Sequence, residues 1–244
     1  MQRLGLIGFG QFGRLAAGVL REHFELIVTD AAPAARVAAE ELGVAFGTLP
    51  EAAACEVVVV AAPVAAMREV FAAMAPYMKP GALVADVGSV KMLPARWMSE
   101  ILPAHADLVA THPLFGPQSA RNGVAGLRLV VCPVRGGRHE RVAAFGRRLG
   151  LTVTITTPEE HDREMAYVQA LTHLIGRSLS RMGIPDEQLK TQSYQHLLDL
   201  CGLIGADTFE LFTAIQTQNP FAAEVATAFV DQARDLLRQV GVGN

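Results

Sequence analysis

The chain has 244 residues, 51% of them hydrophobic and 18% charged, and carries a formal charge of −3 from 21 Lys+Arg against 24 Asp+Glu. That is enough apolar chain for one large or two small cored domains, and a mean hydropathy of +0.28 excludes an intrinsically disordered protein. The basic residues are scattered and form no stripe, so the electrostatic footprint of a nucleic-acid binder is missing and small-molecule chemistry is favoured.

The longest apolar stretches, such as residues 57–66, fall short of the roughly 20 residues that a membrane helix needs. Met1-Gln2-Arg3 leads directly into an apolar run that ends in glycines, without the h-region and cleavage site of a secretion signal. Cys55, Cys132 and Cys201 are far apart and form no C-x-x-C pair, so neither a disulfide framework nor a zinc site is expected. These features read as a protein of the reducing cytoplasm with no membrane partner.

In chain order, apolar runs at 4–7, 26–29, 57–61, 83–86, 108–111 and 129–132 alternate with alanine-rich, helix-favouring stretches. Runs continuous in Val, Ile and Leu suit strands covered on both faces by crossover helices, which predicts a parallel, doubly wound α/β sheet of Rossmann type. After a last strand at 152–156 the apolar residues recur at three- and four-residue spacing, which predicts helix only. Thr157 is expected to cap a helix with Pro158 in its first position, and a second helix start is expected at Pro185-Asp186-Glu187, after the stop signal Met182-Gly183. The expected organisation is a dinucleotide-binding domain over 1–155 and an all-helical domain over 156–244. A helical layer of about 90 residues has apolar faces that are hard to cover alone, so it is expected to pair with a second copy as a homodimer.

Gly8-Phe9-Gly10-Gln11-Phe12-Gly13 directly follows the first strand and opens a helix through Leu20, which is G-x-G-x-x-G in its proper context. The first glycine permits the tight turn, the second admits a pyrophosphate to the backbone, and the third lets helix and strand pack closely, with the helix N-terminus facing the anion. Asp30 ends the next strand, about 20 residues on, where a carboxylate accepts hydrogen bonds from ribose hydroxyls and repels a 2'-phosphate. NAD is therefore expected over NADP; the competing reading is that Asp30 caps a helix beginning at Pro33. Ala62 and Pro63, at the end of the strand 57–61, lie at the same sheet edge and are expected to line the nicotinamide side.

Asp86-Val87-Gly88-Ser89-Val90-Lys91 and Thr111-His112-Pro113-Leu114-Phe115-Gly116-Pro117 each follow a predicted strand. With the glycine motif, and in this order, they resemble the prephenate and arogenate dehydrogenases of tyrosine biosynthesis, whose sequences carry D-x-x-S-V-K and then H-P-M-F-G-P. The resemblance continues through Glu160-His161-Asp162, the run from Val168 to His173, and Asp207-Thr208-Phe209-Glu210-Leu211, and so covers nearly the whole chain. From Gln192-Ser193-Tyr194 to Phe212 it is nearer to the plant-type arogenate enzymes.

The resemblance implies an oxidative decarboxylation of a small dicarboxylate: hydride leaves the carbinol carbon of a cyclohexadienyl ring for NAD, carbon dioxide departs, and the ring becomes aromatic. His112 matches the general base, since an imidazole with a pKa near 6.5 can take the hydroxyl proton at neutral pH. The resemblance makes Ser89 an orienting group for His112 or a contact to the same hydroxyl, although a helix N-cap is the plain alternative. Lys91 would fix its loop or lend positive potential to a dianion. His173 matches a family histidine that faces substrate, but among Leu171, Leu174 and Ile175 it fits an apolar helix face equally well. His161 lies between Glu160 and Asp162, yet adjacent helix residues point apart, so no metal is assigned.

One position departs from the family. Many bacterial members carry an arginine in the late helix that pairs with a substrate carboxylate, and that position here is Leu203. Arg121 or Lys190 is the expected substitute cation. Two other readings remain at this stage. An NAD(P)-dependent dehydrogenase of a β-hydroxyacid or imine commonly uses a lysine of the helical domain, and Lys190 is the only lysine after Lys91. A nucleotide-sensing module without catalysis has no use for Ser89 and His112.

Overall fold

The apolar runs form strands β1 (Arg3–Ile7), β2 (Glu25–Thr29), β3 (Ala45–Phe46), β4 (Val57–Val60), β5 (Leu83–Asp86), β6 (Asp107–Pro113), β7 (Arg128–Arg135) and β8 (Thr152–Ile155). They lie in one eight-stranded sheet ordered β3-β2-β1-β4-β5-β6-β7-β8. The coordinates are a computed structural model that describes residues 1–205 and 207–242 and divides into two compact units, Met1–His161 and Asp162–Asn244. Helices α1 (Gln11–Leu20), α2 (Ala34–Leu42), α3 (Leu49–Ala53), α4 (Val64–Met74), α5 (Met92–Ile101) and α6 (His139–Arg148) connect the strands of the first unit.

Both faces of the sheet are covered, and for that reason the strands read as continuous apolar runs rather than as alternating ones. On one face Val58, Val60, Val84, Leu108 and Ala110 pack with Met67 and Phe71 of α4 and Met98 of α5. On the other, Leu4, Leu6, Leu26 and Val28 meet Ala17 of α1 and Ala35 and Ala39 of α2, while Val109, Leu129 and Val131 meet Ala143 of α6.

The expectation of an all-parallel sheet needs correcting at one strand: β6 and β7 pair antiparallel, with His112 opposite Val130, although β7 and β8 are parallel. A parallel neighbour requires a crossover of a dozen or more residues, usually a helix. The segment between β6 and β7 contains Gly116, Pro117, Gly123 and Gly126 and forms turns instead, so the chain comes straight back. The two-residue edge strand β3 was too short to register as an apolar run.

The regular structure among the second unit's described residues is all helical, as its periodicity predicts. It comprises α7 (Pro158–Met165), which starts within the first unit, a π-helical segment Ala166–Leu171, α8 (Thr172–Met182), α9 (Gln192–Gly205), α10 (Phe209–Gln218) and α11 (Ala222–Gln239). Thr157 caps α7 as expected, in a reciprocal box: its Oγ1 accepts from Glu160 N–H at 3.1 Å, and its own N–H donates to Glu160 Oε2 at 3.2 Å. Gly183 closes α8 with a left-handed φ of +66°.

No helix begins at Pro185, contrary to expectation. Residues 184–191 are irregular, and α9 starts at Gln192 with Thr191 Oγ1 accepting from Tyr194 N–H at 3.2 Å. Ile184, before Pro185, has no side-chain oxygen to cap a helix, whereas Thr191 does. The unit's own buried cluster is small, Ala170, Ile215 and Ala222 with Leu211 against them. Tyr167, Val168, Leu203, Phe229, Val230, Leu236 and Leu237 are exposed. No helix among the described residues is long and apolar enough to cross a membrane.

Candidate active site

The three glycines of the first loop meet three different demands. Gly8 has φ +100°, and a Cβ there would come within 2.6 Å of the Ala61 carbonyl carbon, so both conformation and close approach to β4 require glycine. A Cβ on Gly13 would lie 2.2 Å from the Gly8 carbonyl oxygen, which sets how closely α1 approaches β1. Gly10 is extended, at φ −68° and ψ −164°, and a Cβ there would meet nothing within 4 Å. Packing therefore does not explain the second glycine. It is the N-cap of α1 and borders open space, as an approaching pyrophosphate needs. The loop fits a dinucleotide.

Asp30, at the end of β2, fastens this loop. Its Oδ2 accepts from Phe9 N–H at 2.5 Å and its Oδ1 from Ala32 N–H at 2.7 Å. It does not cap α2, whose N-cap is Pro33. The Phe9 side chain is buried in the core, so Phe9 offers the loop only its backbone. Gln11 is exposed. Phe12 is half-buried with its ring 6.2 Å from that of Phe115, which joins the glycine loop to the His112-Pro113-Leu114-Phe115 segment. Ala62 is half-buried and Pro63 exposed, immediately beyond β4 and at the start of α4.

At the adjacent strand ends, β5 and β6 are tied by a buried polar cluster. Lys91 Nζ donates to Asp86 Oδ2 at 2.5 Å and to the Thr111 carbonyl at 2.6 Å, and Thr111 Oγ1 donates to the Asp86 carbonyl at 2.5 Å. Both charged side chains are wholly buried. Burial raises the Asp86 carboxyl above the ordinary range, against the pull of Lys91 and the Gly88 N–H. Of the two roles expected for Lys91, this geometry fits the fixing of the loop. Ser89, in the same loop, has a buried Oγ with no hydrogen-bond partner among the described residues. It does not cap α5, whose N-cap is Lys91.

His112, near the end of β6, is 5% exposed, and its Nδ1 lies 2.8 Å from Nε2 of His161 on α7. The rings meet edge to face, with centroids 5.0 Å apart. Burial holds the His112 imidazole well below its usual pKa, and the fields of His161 and Lys91 push the same way. It is therefore neutral at physiological pH, as a base must be. With Nδ1 engaged by His161, Nε2 is the ring nitrogen left for another partner, and the tautomer decides whether it donates or accepts.

The remaining expected residues are each placed within their own unit. Arg121 is exposed in the turns after β6, and Lys190 pairs with Asp186 at 2.5 Å in the irregular segment before α9. Leu203 is exposed on α9. His173, on α8, is buried, with Nε2 3.8 Å from Asp207 Oδ2; burial lowers its pKa despite that carboxylate. Arg177, one turn later on α8, donates to the Asp207 and Thr208 carbonyls and lies over the Phe212 ring. Sequence reasoning missed the His112–His161 pair, which spans 49 positions. The only local signal was the Thr157–Glu160 capping box, which sets the start of α7 and so the phase of His161.

Comparison with known proteins places both halves of the chain. The model of the prephenate dehydrogenase nucleotide-binding domain matches residues 16–149, and that of the prephenate dehydrogenase dimerization domain matches 157–240. Arogenate dehydrogenase 2, chloroplastic, of Arabidopsis thaliana is 32% identical over 235 residues, 91% of this chain and 65% of that protein. A probable arogenate/prephenate dehydrogenase of Methanocaldococcus jannaschii is 28% identical over 81% of this chain and 47% of its own length. The chain thus spans about two-thirds or less of these curated relatives. The crystal structure of prephenate dehydrogenase from A. aeolicus in complex with hydroxyphenyl propionate and NAD+ shares the fold, with a TM-score of 0.78 at 20% identity, over 98% of this chain and 90% of that one. With both family models matched in order, the chain belongs to the prephenate/arogenate dehydrogenase family.

Proposed function

We propose that this protein oxidatively decarboxylates prephenate, arogenate or both, with NAD as hydride acceptor, and so supplies the aromatic ring in tyrosine biosynthesis. The carrying observation is His112: a neutral imidazole at the end of β6, held through Nδ1, beside the loop that Phe115 links to the glycine motif. Bound NAD supplies the acceptor for the hydride of the ring carbinol carbon. His112 Nε2 takes the hydroxyl proton as that C–H bond breaks. The ring–carboxylate bond then breaks, carbon dioxide leaves, and its electron pair completes the aromatic ring. The proton on Nε2 returns to the phenolic oxygen, so His112 serves as base and then as acid and ends as it began.

Asp30 supports NAD over NADP, because its carboxylate already faces the loop amides where a 2'-phosphate would add a like charge. Arg121 is the proposed partner of a substrate carboxylate in place of the arginine absent at Leu203, and His173→Asn is expected to raise substrate KM. The exposed apolar residues of α11, with the dimerization-domain match, support a homodimer. Cys55, Cys132 and Cys201, none of them in a disulfide, support a reducing, cytoplasmic setting. The lysine-dependent β-hydroxyacid reading has less support, since Lys190 is exposed and paired with Asp186.

The test is turnover of prephenate and of arogenate with NAD and with NADP, in the unmodified chain and in His112→Asn. The variant is expected to keep NAD affinity and to lose about 10²–10⁴ in turnover, the scale for a positioned acid–base group. Near-normal turnover by the variant at saturating substrate would assign the proton transfer elsewhere.

A further inference from the structure

An Nδ1···Nε2 contact of 2.8 Å between two imidazoles needs one proton, and two arrangements satisfy it. If His161 donates, His112 must accept at Nδ1 and carry its own proton on Nε2, which leaves it nothing with which to take the substrate proton. If His112 donates from Nδ1, its Nε2 keeps a lone pair. Free neutral imidazole prefers the proton on Nε2, so an isolated His112 would rest mostly in the wrong form. The bond made by one ring nitrogen decides which form is present at the other. We propose that His161 is the positioning residue for His112: its Nε2 accepts from His112 Nδ1–H and selects the tautomer with a free Nε2.

This inference rests on reading His112 as the base, and it adds the reason that base is in working form. The setting supports it. Both rings are almost fully buried, at 5% and 2% exposure, so water cannot satisfy the Nδ1–H in place of His161. The Lys91 ammonium, whose field reaches His112, is itself bonded to Asp86. The Thr157–Glu160 capping box fixes the start of α7, and with it the backbone position from which the His161 ring extends. An orienting acceptor behind a catalytic imidazole is the arrangement by which a carboxylate serves other general bases, with a second imidazole here in its place.

The experiment uses the full chain labelled with 15N in its histidines, with long-range 1H–15N NMR reading the tautomer of each ring. His112 signals are identified by their loss in His112→Asn. The expected wild-type spectrum has His112 protonated on Nδ1 and bare on Nε2. In His161→Leu the His112 signals are expected to move toward the Nε2-protonated form, with kcat reduced about 10–100-fold, the usual effect of removing an orienting partner, and substrate KM within about twofold. His161→Gln, whose amide oxygen is an acceptor at similar reach, is expected to restore the wild-type tautomer and most of the lost turnover. A wild-type His112 protonated on Nε2, or an unchanged tautomer in His161→Leu, would overturn the proposal. If His161→Leu does not fold, the wild-type and His161→Gln spectra still decide. Normal turnover by His112→Asn would instead remove the base reading and leave the tautomer result standing.

Discussion

Replacing Lys91 with methionine keeps the length of the side chain and removes its charge, leaving the buried Asp86 carboxylate without its cation. Both partners are wholly buried, and the bond between them is 2.5 Å. Removing one member of a buried pair commonly costs about 3–5 kcal/mol, because the partner keeps its desolvation penalty without its compensation. For a chain of this length that corresponds to a fall in Tm of roughly 6–20 °C, at about 2–4 °C per kcal/mol. The Thr111 carbonyl also loses its donor. The sign with pH follows from Asp86, whose folded pKa is already raised and rises further without the ammonium. Between the unfolded carboxyl pKa and this raised value the folded state holds one more proton, so stability falls by about 1.4 kcal/mol per unit of rising pH. The variant should therefore lie closer to wild type at pH 5 than at pH 8. Urea titrations at fixed protein concentration measure this, and Asp86→Asn/Lys91→Met should be more stable than the sum of its single changes, because no lone charge remains. A loss below about 1 kcal/mol that does not change with pH would refute the argument.

Gly10→Ala should leave stability within about 0.5 kcal/mol, since its backbone is extended and its Cβ meets nothing, yet weaken NAD at least about tenfold by intruding on the pyrophosphate. Calorimetric titration with NAD and a urea curve check the two halves; unchanged affinity would remove the glycine loop from the cofactor site. Asp30→Ser should relax the preference for NAD over NADP, read from kcat/KM with each, and an unmodified chain that uses both equally would contradict the role given to Asp30. Because burial depresses the His112 pKa, the acid limb of kcat/KM should lie below pH 6.5, and an inflection at or above 6.5 would mean that another group limits the rate. The same depression makes folding less favourable as pH falls below the ordinary histidine value, since only the unfolded chain then takes up that proton. Leu236→Glu/Leu237→Glu on α11 should convert a dimer to a monomer in light scattering at micromolar concentration, and a monodisperse monomer of the unmodified chain would exclude the dimer.

Features that depend on neighbours in sequence were legible without the fold. The Gly8–Gly13 loop, the Thr157 cap and the Gly183 stop are set by backbone conformation and by hydrogen bonds spanning a few residues, and each is where the residues indicate. The strands of the doubly wound sheet were legible too, because burial on both faces demands continuous apolar runs. The direction of β7 was decided by what the turn-rich segment after β6 cannot supply, namely a crossover helix, and that constraint acts only when strands seek partners. Lys91 shows the same division. Its motif marked the loop, but only the pairing of β5 with β6 brings the Thr111 carbonyl to its ammonium and removes water from both. His161 lies furthest from sequence reasoning: nothing within a few residues of either histidine calls for the other. Their bond exists because β8 ends level with Thr111, across Val131, and α7 turns back from there. Local rules determined which groups this chain possesses; the register of strands far apart in sequence decided which of them share a proton.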